Sequence, residues 1–429
     1  MLDNILRQIR DIIPESIFRF FQSPYHWILS LCAAIWYRFP SRYLKVIAVT
    51  GTKGKSSTTE ILNAIMEEAG YKTGLSNTIR FKVDEYSSEN LFKMSMPGRF
   101  FMQRLLRRAV EHGCKYFIVE MTSQGALLHR HKFIDLDGFI FTNLTPEHIE
   151  AHGSYERYLD SKLDLARSLG KSKKGERIMV VNGDDKEVSK FLTCKSDRQS
   201  VYKLENIAPY EVKKEGVSFT WNGKTVNSPL SGLFNIYNIL AAATMAHEQG
   251  VSDEIITRAI EKFSGILGRV QKIEAGQDFT VVVDYAHTTD SLEKLYQVFH
   301  SSRSICVLGG TGGGRDKWKR KEMGRIADTY CDEIILTDED PYDEDPQQIV
   351  NDVAEGIVTQ KPTIIMDRRE AIRRAINQAK TGDSVLITGK GTDPYIMGRN
   401  GTKILWSDAQ VAKEELEKFL QPELSPKSF

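Results

Sequence analysis

The stretch that most narrows what this chain can fold into is KVIAVTGTKGKSSTTEILNAIMEEAG, residues 45–70. KVIAVT reads as a buried strand, and the apolar positions of TTEILNAIMEEAG recur at helical spacing until Gly70 stops them. Between the two lies a turn with two glycines, Gly51 and Gly54, followed by Lys55, Ser56 and Ser57. A strand running through such a turn into a helix leaves the first helical N–H groups unpaired, with the positive end of the helix dipole behind them. That is a phosphate site, in which Lys55 adds a mobile charge and the Ser56 hydroxyl is placed to ligate Mg²⁺. Val49 stands where the general phosphate-loop pattern has its first glycine, so the loop is a variant form.

Strand-like runs follow at KYFIVEM (115–121), DGFIFTNL (137–144) and RIMVVN (177–182), with helical segments between them such as RFFMQRLLRRAVEHG (99–113). Alternation of strand and helix predicts a mostly parallel, three-layer α/β domain over residues 45–267, with a helical end around 235–263. A second α/β series begins with FTVVVDYAH (279–287) and continues through SICVLGG, EIILTDE, PTIIMD and SVLITGKG (384–391). It reads as a Rossmann-like domain over 268–429. Residues 1–44 read as an N-terminal helical segment, and the tail PELSPKSF as frayed.

Basic and acidic side chains number 58 and 57, which leaves no bulk cationic field and argues against a nucleic-acid partner. Cys32, Cys114, Cys194, Cys306 and Cys331 form no C-x-x-C pair. That excludes a zinc ribbon and predicts reduced, core-filling thiols in a cytoplasmic protein. Residues 16–39 are rich in aromatics and punctuated by Arg and His, and their apolar run from Trp27 to Tyr37 is shorter than the roughly 18 residues of a membrane span. They read as a helix packed on the first domain, or as an interfacial helix with basic anchors making a peripheral membrane contact.

The loop V-T-G-T-x-G-K-[ST]-[ST] resembles that of the Mur ligase family, which forms amide bonds at the expense of ATP. Other Mur-like motifs follow in order. FTNLTPEHIEAHG (141–153) resembles N-L-x-x-D-H-L-D-x-H-G, and SYERYLDSKLDLA (154–166) resembles the segment with a carbamylated lysine. LFNIYNILAA (233–242) resembles F-N-x-x-N, GRV (268–270) carries the junction arginine, and DYAHTTDSLE (284–293) resembles D-Y-A-H-T-P-D-x-L. Within the family the likeness is greatest to the UDP-N-acetylmuramoyl-tripeptide synthetases, through EMTSQGALLHR (120–130), GRDKWKRKEMGRIAD (314–328), DEDPYDEDP (338–346) and GKGTD (389–393).

The resemblance implies ATP and Mg²⁺ as cofactors, a UDP-muramoyl dipeptide and a free amino acid as substrates, and an acyl-phosphate intermediate. It implies catalytic roles for Lys55, Glu120, His148, Lys162 and His287, with Lys162 carbamylated. Ser56, Glu120, His148 and Lys162 are the implied metal set. Gly51, Thr52, Lys53, Gly54, Lys55, Ser56, Ser57, Asn235, Asn238, Arg269 and Asp284 are implied nucleotide contacts; Asn235 and Asn238, three apart, share one helix face. Ser123, Arg130, Arg315, Asp340, Tyr342 and Asp393 are implied substrate contacts.

Three departures bear on the acceptor. The loop begins near residue 50, which leaves no room ahead of it for the uridine-nucleotide domain of the full-length synthetases. Tyr342 stands in place of the arginine that recognises diaminopimelate, and Asp340 with Asp393 predicts a more acidic pocket suited to a basic amino acid. SMPGRF (95–100) stands where the synthetases have T-T-P, with Ser95 and Arg99 as substitute anion contacts. The alternative activity is that of a Mur-like ligase on a lipid-linked or other γ-glutamyl acceptor, including a folylpolyglutamate-synthetase-like one.

Overall fold

A computed structural model of the chain describes residues 15–147, 152–314 and 317–421, with side chains from Ser23 onward. His148, Arg315 and the tail from residue 422 lie outside the described residues. The chain forms two compact units. One comprises the chain up to Tyr210 with Phe219–Val226 and Asn235–Phe263; the other comprises Glu211–Ser218, Asn227–Phe234 and everything from Ser264.

The first unit is built on β1 (Lys45–Thr50), β2 (Thr73–Ser76), β3 (Arg80–Val83), β4 (Tyr86–Glu89), β5 (Tyr116–Glu120), β6 (Gly138–Phe141), β7 (Ile178–Asn182) and β8 (Arg198–Tyr202). They form one sheet in the order β4-β3-β2-β5-β1-β6-β7-β8. The run from β2 to β8 is parallel, and β3 and β4 add an antiparallel edge. Five of the six β1 residues are buried, as a strand covered on both faces requires. Its neighbours β5 and β6 come later in the chain on opposite sides, so the order reverses at the end of β1, where α/β sheets collect ligands.

The longer helices of this unit, with the short one that follows β5, are α1 (Glu15–Trp36), α2 (Lys55–Glu68), α3 (Arg99–Glu111), α4 (Ser123–Leu127), α5 (Tyr155–Gly170), α6 (Leu233–Glu248) and α7 (Asp253–Lys262). α1 packs on α3, burying Ser30, Ala33 and Ala34, and Arg107 of α3 donates to the Tyr37 carbonyl at its end. Packing buries only part of α1: Tyr25, Trp27, Ile28, Ile35 and Trp36 stay exposed. No helix among the described residues is long and apolar enough to cross a membrane.

Between Tyr210 and Ser228 the chain forms a small antiparallel sheet of β9 (Tyr210–Val212), β10 (Val217–Trp221) and β11 (Lys224–Ser228). The second unit's sheet contains β12 (Gln271–Lys272), β13 (Thr280–Asp284), β14 (Ser304–Leu308), β15 (Glu333–Leu336), β16 (Thr363–Ile364) and β17 (Ser384–Thr388). Its order is β12-β13-β17-β14-β15-β16, parallel apart from β12. A hairpin of β18 (Tyr395–Met397) and β19 (Lys403–Leu405) follows. One face buries Leu295, Phe299, Ile326 and Val353; the other buries Ile372, Ile376, Val411 and Leu416. This is the doubly covered Rossmann-like arrangement.

The expectation of reduced, core-filling thiols fails at three positions. Cys306 and Cys331 form a disulfide, because parallel pairing of β14 with β15 carries Cys331, two residues ahead of β15, to a Cα–Cα distance of 6.0 Å from Cys306. Cys32 is exposed, while Cys114 and Cys194 are free and buried as core filler.

Candidate active site

The turn after β1 is held in a conformation that excludes side chains. Gly51 has φ 154° and Gly54 φ 80°, and a Cβ on Gly54 would lie 2.2 Å from Asn238 Oδ1. Asn238 therefore packs directly against the turn, with its Nδ2 donating to Asn235 Oδ1 at 3.0 Å. The two asparagines do share one face of α6, and that face is turned to the phosphate loop.

The loop after β6 braces the turn from the other side. Asn143 Oδ1 accepts from the Lys53 N–H at 2.9 Å, the Asn143 carbonyl accepts from the Thr52 N–H at 2.8 Å, and Thr142 Oγ1 donates to the Lys53 carbonyl at 2.7 Å. Thr52 Oγ1 meets the Tyr158 hydroxyl at 3.0 Å. Lys55 Nζ donates to the Thr52 carbonyl at 2.7 Å, closing the turn on itself. Ser57 is buried in the first turn of α2.

Ser56 and Glu120 meet at the C-terminal edge of the sheet. Ser56 Oγ donates to Glu120 Oε2 at 2.7 Å. Thr78 adds its N–H at 3.1 Å and its hydroxyl at 3.0 Å to the same carboxylate. Thr78 was not legible in the sequence, because it sits in the turn between two four-residue strands that carry no strong period. Ser56, Thr78 and Glu120 offer the oxygen donors that Mg²⁺ prefers, so the residues present fit that ion. Among the described residues no group of three or more His, Cys, Asp or Glu side chains forms a metal centre.

Lys162 projects from α5 into this region. It is 1% exposed, and its Nζ donates to the Gly51 carbonyl at 2.6 Å and lies 4.8 Å from the centre of the Tyr158 ring. Burial first, then the neighbouring Lys55, pushes its ammonium well below the usual lysine range, against the opposing pull of Glu147 and Glu120. Ser123, at the start of α4, meets His152 Nε2 at 3.0 Å; His152 lies within the sequence motif but carried no assigned role. Arg130 donates to the Met96 carbonyl.

The remaining sequence-derived residues lie in the second unit. Arg269 stacks its guanidinium over Tyr285 at 4.3 Å, and His287 Nδ1 meets the Tyr285 carbonyl at 2.7 Å. Asp284, at the end of β13, accepts from the N–H groups of Val270 (2.7 Å) and Ala286 (2.6 Å), so its carboxylate organises its own loop. Burial raises its carboxyl, and Arg269 and those N–H groups oppose the rise.

Asp340 and Asp393 do come together, but not as an open acidic pocket. Buried Lys390 Nζ donates to Asp340 Oδ1 at 2.8 Å, Asp393 Oδ2 at 3.0 Å and the Tyr395 carbonyl at 2.5 Å. The predicted acidic character is thus partly compensated by a lysine inside the GKGTD segment. Tyr342 adopts φ 52° and donates its N–H to the Met397 carbonyl at 2.9 Å.

Comparison with known proteins agrees with both halves of this description. The Mur ligase middle domain matches residues 49–246, and the Mur ligase glutamate ligase domain matches 268–391. The chain is 36% identical over 403 residues to a UDP-N-acetylmuramoyl-L-alanyl-D-glutamate–2,6-diaminopimelate ligase of Syntrophomonas wolfei, covering 90% of this chain and 81% of the relative. It is 35% identical over 415 residues to a UDP-N-acetylmuramyl-tripeptide synthetase of Roseiflexus, with the same coverage. A solved structure of a UDP-N-acetylmuramoyl-L-alanyl-D-glutamate–2,6-diaminopimelate ligase matches with TM-score 0.62 and 28% identity, over 88% of this chain and 79% of that one. Escherichia coli FolC in complex with DHPP and ADP, 19% identical with TM-score 0.61 over 84% of this chain and 89% of that one, shares the fold. By domain match and by identity across most of its length, the chain belongs to the Mur ligase family.

Proposed function

We propose that the chain is an ATP-dependent, ADP-forming ligase that adds an amino acid to a UDP-N-acetylmuramoyl dipeptide in peptidoglycan precursor synthesis, working in the cytoplasm where ATP is supplied. The observation that carries the reading is the convergence of Lys55, Ser56, Glu120 and Lys162 on one turn. Acyl activation brings a substrate carboxylate up to a triphosphate, two anions that repel unless their charge is neutralised. The N–H groups of the turn and Lys55 bind the phosphates. Ser56, Thr78 and Glu120 would hold Mg²⁺, which supplies charge neutralisation on phosphoryl oxygens when bound; His148 joins them by the resemblance. Activation gives an acyl phosphate and ADP, and attack by the amine of the incoming amino acid expels phosphate.

A lysine whose ammonium is disfavoured spends more time as the free amine, the form that takes up CO₂. Carbamylation turns Lys162 from a cation into an anion beside Glu120. Asn235 and Asn238, with Arg269, Asp284 and His287, serve the nucleotide. Ser123, Arg130, Arg315, Asp340, Tyr342 and Asp393 serve the two substrates.

The test is ADP release from the full chain with UDP-muramoyl dipeptide and a panel of amino acids. Release that depends on both substrates supports the reading, and no release with any muramoyl dipeptide overturns it. A lipid-linked acceptor is the second reading, favoured by the exposed Tyr25, Ile28, Ile35 and Trp36 of α1. Sedimentation with anionic vesicles that is abolished by Ile28→Ser with Trp36→Ser supports it.

A further inference from the structure

The edge of the first sheet opposite the phosphate loop carries a cavity of about 510 Å³. Cationic side chains enter it from three segments: Arg42 and Lys45 at the entry to β1, Lys115 ahead of β5, and Lys173 and Lys174 ahead of β7. Parallel strands all begin at the same edge, so residues remote in the chain meet there. β1 is six residues long, which places the cavity roughly 17 Å from the phosphate loop at its other end.

Five cations here face two carboxylates, Asp135 and Asp137 ahead of β6, and both carboxylates are committed. Arg42 Nε donates to Asp135 Oδ2 at 3.3 Å. Asp137 Oδ2 accepts from the Val46 N–H at 2.7 Å and from Lys174 Nζ at 2.5 Å, and Lys174 Nζ also donates to the Leu44 carbonyl. The Lys174 side chain is 10% exposed. Burial first holds its ammonium below the usual lysine range, Asp137 and Asp135 oppose, and Lys45 adds to the lowering. Among the described residues no carboxylate pairs with Lys45, Lys115 or Lys173. Lys45 Nζ donates to the neutral Gln249 Oε1 at 3.3 Å, and Lys115 Nζ lies 4.3 Å from the centre of the Tyr71 ring.

A solvated protein face mixes lysines with acids. This edge instead sets three lysines without acid partners around a concavity, whose low-dielectric walls focus their field. A carboxylate ligand would answer one of those charges. A phosphate monoester brings close to two charges and three acceptor oxygens, which suits three ammonium groups. The mouth of the cavity is also partly apolar, since Tyr43 lines it and is 68% exposed.

We propose that Arg42, Lys45, Lys115, Lys173 and Lys174 form a second phosphate-binding site, on the edge of the sheet away from the phosphate loop. The site stands apart from the ligase reading, because none of its residues is assigned to ATP, to metal or to either substrate. A soluble phosphorylated molecule and an anionic lipid headgroup both present the group it binds. Tyr43, with the exposed Trp36 at the end of α1, supplies the aromatic flank that a headgroup region favours.

The experiment uses the full chain, saturated with ADP and Mg²⁺ so that the phosphate loop is occupied. One arm is calorimetric titration with inorganic phosphate; the other is sedimentation with vesicles of equimolar phosphatidylglycerol and phosphatidylcholine. The expected result is salt-sensitive binding of at least one probe, weakened about tenfold when Lys115→Met is combined with Lys173→Met. Lys171→Met, at an exposed lysine outside the cavity, leaves that binding unchanged. Phosphate binding identifies a soluble ligand, and vesicle binding without phosphate binding identifies a headgroup. Melting of each variant separates folding from binding, and Lys45→Met weakens binding in the same direction should the double variant prove unstable. Binding of neither probe, undiminished binding in the double variant, or an equal loss in Lys171→Met, which would mean a diffuse field, overturns the proposal.

Discussion

Ser56 Oγ and Glu120 Oε2 lie 2.7 Å apart, joining the first turn of the helix after the phosphate loop to the end of the neighbouring strand. The parallel pairing of β1 with β5 sets this distance, since Val49 registers with Glu120. Glu120→Gln keeps an acceptor for Ser56 but removes the charge that a divalent cation needs. ADP release is expected to fall by a factor of about 10² or more with a melting temperature close to that of the parent. Equal loss of activity and of folding would show a structural role instead.

Lys162→Ala is expected to be nearly inactive and to recover partly with a small carboxylate added in solution. Uptake of ¹³C-labelled CO₂, followed by NMR, is expected in the parent and absent in the variant. Normal ADP release by Lys162→Ala would remove this lysine from the mechanism.

Gly54→Ala places a Cβ in the left-handed region and against Asn238 Oδ1, which cannot swing freely because its amide donates to Asn235. The backbone alone costs about 1–2 kcal/mol. Weaker ADP binding and a lower denaturation midpoint are expected together. Adding Asn238→Ala relieves the contact but not the backbone, so recovery is partial; full recovery would mean that the contact is the whole effect.

Lys390→Met removes the ammonium that Asp340 and Asp393 share, at a cost of roughly 3–5 kcal/mol. Combining it with Asp340→Asn restores part of that loss. A double-mutant cycle by urea denaturation checks this, and strictly additive effects would contradict direct pairing.

The Glu415 carboxyl gives a pH prediction with a definite sign. Burial raises it, but Arg373, Lys418 and Arg369 outweigh that and hold it at about 2, below the ordinary 4.5. A depressed folded-state value contributes stability that is complete above about pH 4.5 and is lost as pH falls towards 2. Glu415→Gln is expected to cost about 1–3 kcal/mol at pH 7 and less near pH 3. Denaturant midpoints at the two pH values test it, and an equal difference at both would refute it.

Much of the fold is legible in the sequence because parallel strands covered on both faces must be continuously apolar. KVIAVT, FIVE, FIF and IMVV stand out for that reason, as do the glycines of a turn that tolerates no side chain. The identities of Lys55, Glu120 and Lys162 are likewise carried by local motifs. What only the tertiary structure decides is which distant groups meet. Thr78 reaches Glu120 from a turn with no sequence signature. Lys390 places a cation between two aspartates that would otherwise face each other as an acidic pair, and Cys331 finds Cys306 through strand pairing. Lys45, Lys115 and Lys173 line one cavity although the first and last of these lie over a hundred residues apart. Hydrophobic period is a local property of the chain, whereas the pairing of charges and donors depends on the register and packing of elements remote in sequence.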